Sequence, residues 1–253
     1  MVLINNHIKE KNTHNRGVIC ILFARLLILC ISLMVTSLRA EEKLVFTSLD
    51  GSALQIVSEV ILKEAYRQIG IKVYIEPQPG ERALISSNSG LVDGEVSRIK
   101  GLTKKYPNLI IIPVSINHLE GAVFTKNVEF NIKGWDSLKP YRIGRLIGAK
   151  FVEIGTKGMN TTPVVNFEQL YGLLDDGSVD ILVNPHVDGL WTLKKLNKKD
   201  IKVLSPPVTR LDLYHYLHKK HEGLVPRITA TLRKMEEENR FQAIREAFIA
   251  ELK

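Results

Sequence analysis

Several residues in this 253-residue chain have the type and setting to grip a small polar solute. Arg98 follows a Gly-Leu-Val-Asp-Gly turn, and a guanidinium offers the planar, bidentate fork that a carboxylate fits. Arg98 could equally pair with Glu95 or Asp93. Arg82 opens a helical pattern beside Pro77-Gln78-Pro79-Gly80, where a cation gains nothing from the helix dipole. That placement favours a functional or tertiary role, with an ion pair to Glu81 or Glu76 as the alternative. Gly148-Ala149-Lys150 starts a helix directly after a strand, and free N–H groups at such a start hold anions. The alternative there is an ordinary strand-to-helix turn. Asp50, with Gly51-Ser52, ends the first strand and reads as a helix N-cap. His215, His218 and His221 share neither a strand face nor a helix face, so no metal site is expected from them. The chain has no Gly-x-Ser-x-Gly, no His-Glu-x-x-His and no Gly-x-x-x-x-Gly-Lys-Ser/Thr, and no cofactor is expected.

The elements that must carry these residues alternate in type. Leu44–Ser48 reads as a strand, and Leu54, Val57, Ile61 and Ala65 follow helical spacing until Gly70. Ile71–Ile75 is a strand, Pro77–Gly80 a loop, and Glu81–Ser87 a helix. Strands follow at Leu109–Val114, Ala122–Thr125 and Arg142–Ile147, the last ending at Gly148. A short helix, a strand at Thr162–Val165, a helix at Phe167–Leu174 and a strand at Asp180–Val183 come next. A strand through Leu211, Leu213, His215 and Leu217 precedes two C-terminal helices. Strands alternating with helices of this length imply mostly parallel sheets.

One pattern occurs twice. Ala83-Leu84-Ile85 leads to Gly90-Leu91-Val92-Asp93-Gly94, and Leu170-Tyr171-Gly172-Leu173-Leu174 leads to Gly177-Ser178-Val179-Asp180. Each is a short apolar helix, a glycine suited to the left-handed residue past a helix end, and an aspartate able to bind a turn. Two such units predict two similar α/β lobes with a solute site between them.

Residues 1–25 are basic, Leu26–Leu38 is apolar, and Arg39-Ala40 precedes a polar Glu41-Glu42-Lys43, which is the layout of a cleaved export signal at residues 1–40. An uncleaved anchor over Val18–Leu38 is the alternative, against which Arg25 argues. Cys20 and Cys30 both fall in this leader, so the mature chain, residues 41–253, has no cysteine for a disulfide or thiol catalysis. The leader also holds half of the net charge of +8, and what remains is too balanced for a nucleic-acid partner.

Taken in order, Glu81-Arg82-Ala83-Leu84, Gly90 to Arg98, Tyr106-Pro107-Asn108-Leu109, Gly177-Ser178-Val179-Asp180 and Tyr214 to His221 resemble the bacterial family-3 extracellular solute-binding proteins over residues 43–253. The resemblance implies a two-lobed periplasmic-binding-protein-like type II α/β fold, each lobe a mostly parallel sheet flanked by helices. The chain would cross between lobes near Thr125–Asn127 and Val203–Val208, giving lobe one as 41–125 plus 205–253 and lobe two as 126–204. It also implies a monomer in the periplasm, without catalysis, that captures an amino acid or other carboxylate by hinge closure and serves an inner-membrane permease or a sensor. Arg98 lies where family members place a carboxylate-binding arginine, although their Thr-x-x-Arg spacing is absent. Gly148 is followed by Ala149 where the family commonly has Ser or Thr. Asp50 falls where relatives line the cleft. The family's second-lobe acid is replaced by Asn184-Pro185-His186-Val187-Asp188, so Asn184 and His186 are expected to offer neutral contacts. The rivals are an exported lyase resembling cyclohexadienyl dehydratase, with Glu95 as acid or base, and a receptor-like module without a solute.

Overall fold

The structure is a computed structural model and describes residues 42–252; the predicted leader lies outside the described residues. Among the described residues, eight strands form one sheet, in the order β2-β1-β3-β8-β4-β7-β5-β6. The first half contributes β1 (Glu42–Leu49), α1 (Ala53–Gln68), β2 (Ile71–Gln78), α2 (Gly80–Ser89) and β3 (Gly94–Arg98). The second contributes β5 (Ile143–Leu146), α3 (Lys150–Gly155), β6 (Thr161–Val164), α4 (Phe167–Asp175), β7 (Ile181–Pro185) and α5 (His186–Lys195). Two 17-residue strands, β4 (Leu109–Thr125) and β8 (Lys202–His218), run through both halves, and α6 (Val225–Glu237) and α7 (Arg240–Leu252) return to the first.

Within each half the outer strands are parallel: β2, β1 and β3 in one, and β6, β5 and β7 in the other. The antiparallel strands β8 and β4 join them. This is the expected two-lobed α/β architecture.

The repeated Gly-x-Val-Asp unit has the same structural job in both halves. Gly90 caps α2 in the left-handed conformation at φ 79°, and Asp93 accepts the Val45 amide of β1 at 2.7 Å. Gly177 has φ 71°, and Asp180 accepts the Arg142 amide at 2.8 Å, just before β5. Each aspartate ties a helix exit to the first strand of its own half.

Three expectations change. Leu109–Val114 and Ala122–Thr125 are one strand, and the predicted Pro77–Gln78 loop continues β2 as far as Leu49↔Gln78. Pro77 is tolerated because β2 is an edge strand, where a missing N–H costs no ladder bond. The expected crossing at Thr125–Asn127 also moves, because Thr125 still pairs with both Ile181 and Lys202. β8 pairs with β3 only from Tyr214 onward, and β4 pairs with β7 only from Gly121 onward. Between them, Asn117–Glu120 and Leu213–Arg210 form a ribbon of two strands. A two-stranded ribbon is the part of a sheet that twists most freely.

Each half has its own core. Phe46, Ile61, Leu62, Tyr66, Leu232 and Met235 pack in the first, and Phe124, Leu170, Tyr171 and Leu182 in the second. His215 belongs to the first core: its Nε2 meets the Tyr66 hydroxyl at 2.8 Å and its Nδ1 meets the Glu95 carbonyl at 2.7 Å. Burial pushes this imidazole down to about 4, against backbone contacts from Glu95 and Val96, so it is neutral and both ring nitrogens are spent on core partners.

Candidate functional site: the interlobe cavity

α1 begins where β1 ends, because Ser52 caps it by accepting the Gln55 amide at 3.2 Å. The cap is therefore Ser52 and not Asp50, which sits exposed in the preceding turn. This places the first turn of α1 against the first turn of α5. There the Asp188 carboxylate accepts from Ser52 Oγ at 2.9 and 3.0 Å and from Leu54 N at 2.8 Å. A carboxylate at a helix N-terminus is favourably placed, but Asp188 is only 1 % exposed. Burial pushes its carboxyl up to about 7, against the donors from Leu54, Ser52 and Ala53.

Three further contacts close the same gap. Arg98 at the end of β3 donates to the Gly148 carbonyl at 3.5 Å. Lys150 at the start of α3 is hydrogen-bonded to Glu81 of α2 and at 2.7 Å to Glu153. Burial raises the Glu81 carboxyl, yet Lys150, Lys105 and Tyr106 outweigh it and hold it at about 2. Gly80 and Gly148 meet backbone to backbone: a Cβ on Gly148 would lie 2.3 Å from the Glu81 amide nitrogen. Gly148 also needs its φ of +84°, which side-chain-bearing residues rarely adopt.

Between these contacts lies a cavity of about 50 Å³, lined from the first half by Ser52, Leu54, Gln55, Ser97 and Arg98 and from the second by Leu146, Gly148, Ala149, Lys150, Phe151, Asn184 and Asp188. On a scale of roughly 10–15 Å³ per water, that is room for a few waters. A solute the size of an amino acid needs the two halves to separate.

Of the residues proposed from sequence, Arg98, Gly148, Ala149, Lys150 and Asn184 line the cavity, while Asp50, Arg82 and His186 are outside its wall. Asp50 and Arg82 are exposed, and His186 is half-buried at the start of α5. The roles change too. The predicted anion site at Gly148 is filled from within, since the Gly148 amide donates to Glu153 Oε1 at 2.7 Å. Arg98 is spent on Glu95, which is fully buried, at 2.8 Å, and on the Gly80 carbonyl at 3.2 Å. Glu95 has its carboxyl pushed up by burial, opposed by the charge of Arg98, and it lies beneath the cavity wall. Asn184 stands alone: its Nδ2 is buried with no hydrogen-bond partner. Sequence reasoning gave Asp188 no role in the site. The signal was its position three residues after Pro185, on the first turn of a helix.

Arg98→Ala should destabilise the fold rather than leave it intact, because it strands Glu95 as an unpaired buried carboxyl. Breaking a buried pair from one side costs roughly 3–5 kcal/mol. Urea unfolding of parent and variant measures it; an unchanged midpoint would show that the pair contributes nothing.

No protein-family model matches the sequence. An uncharacterized protein of Shewanella oneidensis is 26% identical over 197 residues, which covers 73% of each chain. Among solved structures, a histidine kinase sensor domain with similarity to periplasmic binding proteins superposes with a TM-score of 0.72 at 13% identity, covering 83% of this chain and 97% of its own. An amino acid ABC transporter substrate-binding protein of Streptococcus pneumoniae, bound to L-arginine, gives 0.68 at 14% identity, covering 86% and 99%. An ancestral arginine-binding protein bound to arginine gives 0.66 at 17%, covering 81% and 97%. At these identities the likeness carries the fold alone: the chain has the fold of amino-acid-transporter substrate-binding proteins and of a periplasmic-binding-like sensor domain.

Proposed function

We propose that this chain is an exported solute-binding protein that closes its two halves, which flank the ribbon of Asn117–Glu120 and Arg210–Leu213, around a small molecule and presents the closed form to a permease or a membrane sensor. The observation that carries this reading is the cavity itself: its walls come from both halves, which are joined by the ribbon Asn117–Glu120 and Arg210–Leu213. Closure around a ligand uses short connecting segments of this kind. Two of the solved proteins of similar fold are bound to arginine and one is a kinase sensor domain, which supports a binding or sensing role. A binding role is also favoured over a lyase by Glu95, whose carboxyl is held under Arg98 and does not line the cavity. Export follows from the basic and apolar order of residues 1–40.

A ligand that binds the folded chain and not the unfolded one must raise its melting temperature, by about 2.7 kcal/mol of stability at a hundredfold excess over Kd. A thermal-shift screen of residues 41–253 against small metabolites should therefore give a hit, and the same hit should change the radius of gyration in X-ray scattering. A bound ligand without any change in scattering would refute the hinge. In cells, osmotic shock should release a chain lacking residues 1–40; finding only full-length chain in the inner membrane would remove the export reading.

A second reading, a receptor-like module that meets a protein partner and takes no solute, is favoured by one observation. The cavity is already closed by the chain's own groups, Asp188 on α1 and Lys150 on Glu81.

A further inference from the structure

We infer that the cavity is built for a small, uncharged, largely apolar molecule carrying one hydrogen-bond acceptor, held by Asn184, and not for a zwitterion or a carboxylate. This inference rests on the capture reading above and names its ligand class. Both cations on the wall are already paired by the chain. Arg98 pairs with Glu95, both on β3, and Lys150 pairs with Glu153, both on α3. Those two pairs are internal to one half each and survive any separation of the halves. Asp188 is the exception, since its donors sit on α1 across the cavity. Its donors are nonetheless restored whenever the halves close, so the hydrogen bonds of this carboxyl are met by the chain and not by the ligand.

The remaining polar groups are also matched. Gln55 and Ser97 hydrogen-bond each other at 3.0 Å, and Gln55 Nε2 reaches the Ser97 carbonyl at 3.1 Å. What is left is an apolar surface of Leu54, Leu102, Leu119, Leu146, Phe151 and Leu213, together with one buried amide donor. The Tyr171 hydroxyl is likewise buried without a hydrogen-bond partner. An unsatisfied buried donor costs stability until an acceptor reaches it. A neutral carbonyl satisfies it, whereas a carboxylate would bring a charge into apolar walls with no cation free to pair with it.

Three probes separate the possibilities: isovaleramide and isovalerate are isosteric and differ in head-group charge, and L-leucine carries the same isobutyl body on a zwitterionic head that is larger by one ammonium-bearing carbon. Titration calorimetry and scattering on residues 41–253 should show isovaleramide binding at millimolar concentration with closure, and the two charged analogues binding at least about a hundredfold more weakly. Asn184→Ala should weaken isovaleramide by about tenfold. Asn184→Asp, which cannot donate when ionised, should abolish it. Isovalerate or L-leucine binding as well as the amide overturns the neutral class while leaving solute capture intact. Silence of all three probes, or Asn184→Ala and Asn184→Asp both binding like the parent, overturns the inference; capture itself stands or falls with the metabolite screen.

Discussion

Replacing Asp188 with Asn should make the closed chain more stable at neutral pH and remove part of its pH dependence. The folded carboxyl sits at about 7 against an ordinary value of 3.8, so the folded state holds its proton where the unfolded state has lost it. The stability of the protonated form is fully present below 3.8 and drains away as pH rises through about 7. Over that window the loss approaches about 4 kcal/mol, counting each unit of displacement at about 1.4 kcal/mol. The groups around this carboxyl are Ser52, Ala53 and Leu54 of α1, with the Tyr171 hydroxyl of α4 as its titratable neighbour. An asparagine oxygen can still accept from Leu54, and its amide can meet Ser52. His215 works in the opposite sense, losing stability as pH falls from 6.5 toward about 4, which is why the difference between variant and parent is the quantity to measure. That difference in melting temperature should grow from about pH 5 to about pH 8. A constant difference would mean that Asp188 is ionised in the folded chain throughout.

Gly148→Ala should hold the halves apart. The new Cβ would lie 2.3 Å from the Glu81 nitrogen and 2.4 Å from the Gly80 carbonyl carbon, which are backbone atoms on the opposite side of the cavity. A left-handed φ of +84° adds about 1–2 kcal/mol of strain for a residue with a side chain. Relief is available without unfolding, by separating α2 from the Gly148 turn at the cost of the Lys150–Glu81 pair and the Arg98–Gly148 contact. X-ray scattering should therefore show a larger radius of gyration, with circular dichroism close to that of the parent. Gly80→Ala, whose Cβ would be 3.0 Å from the Ile147 carbonyl, should do the same more mildly. Both variants matching the parent's scattering curve would mean that solution already favours separated halves.

Much of this architecture follows from local pattern. The alternation of strands and helices, the Gly90 and Gly177 helix exits and the repeated aspartates depend on residues near one another in sequence, where period and turn chemistry speak directly. Even the clustering of Arg98, Gly148, Lys150 and Asn184 was within reach, because the similarity of the two halves places strand ends at one edge. Three things depended on tertiary contacts instead. The continuity of β4 and β8 through both halves is invisible locally, since the same alternating residues can form two short strands or one long one. The fate of Arg98 turns on Glu95 and two backbone carbonyls, of which only Glu95 is a sequence neighbour; a guanidinium reads the same in sequence whether its partner is a ligand or the chain. The role of Asp188 required knowing that α1, more than 130 residues earlier, brings its cap serine and free N–H groups to the first turn of α5. Local sequence determines which groups a chain can offer; the partner each group meets, and hence its charge and its function, is decided by the packing of distant segments.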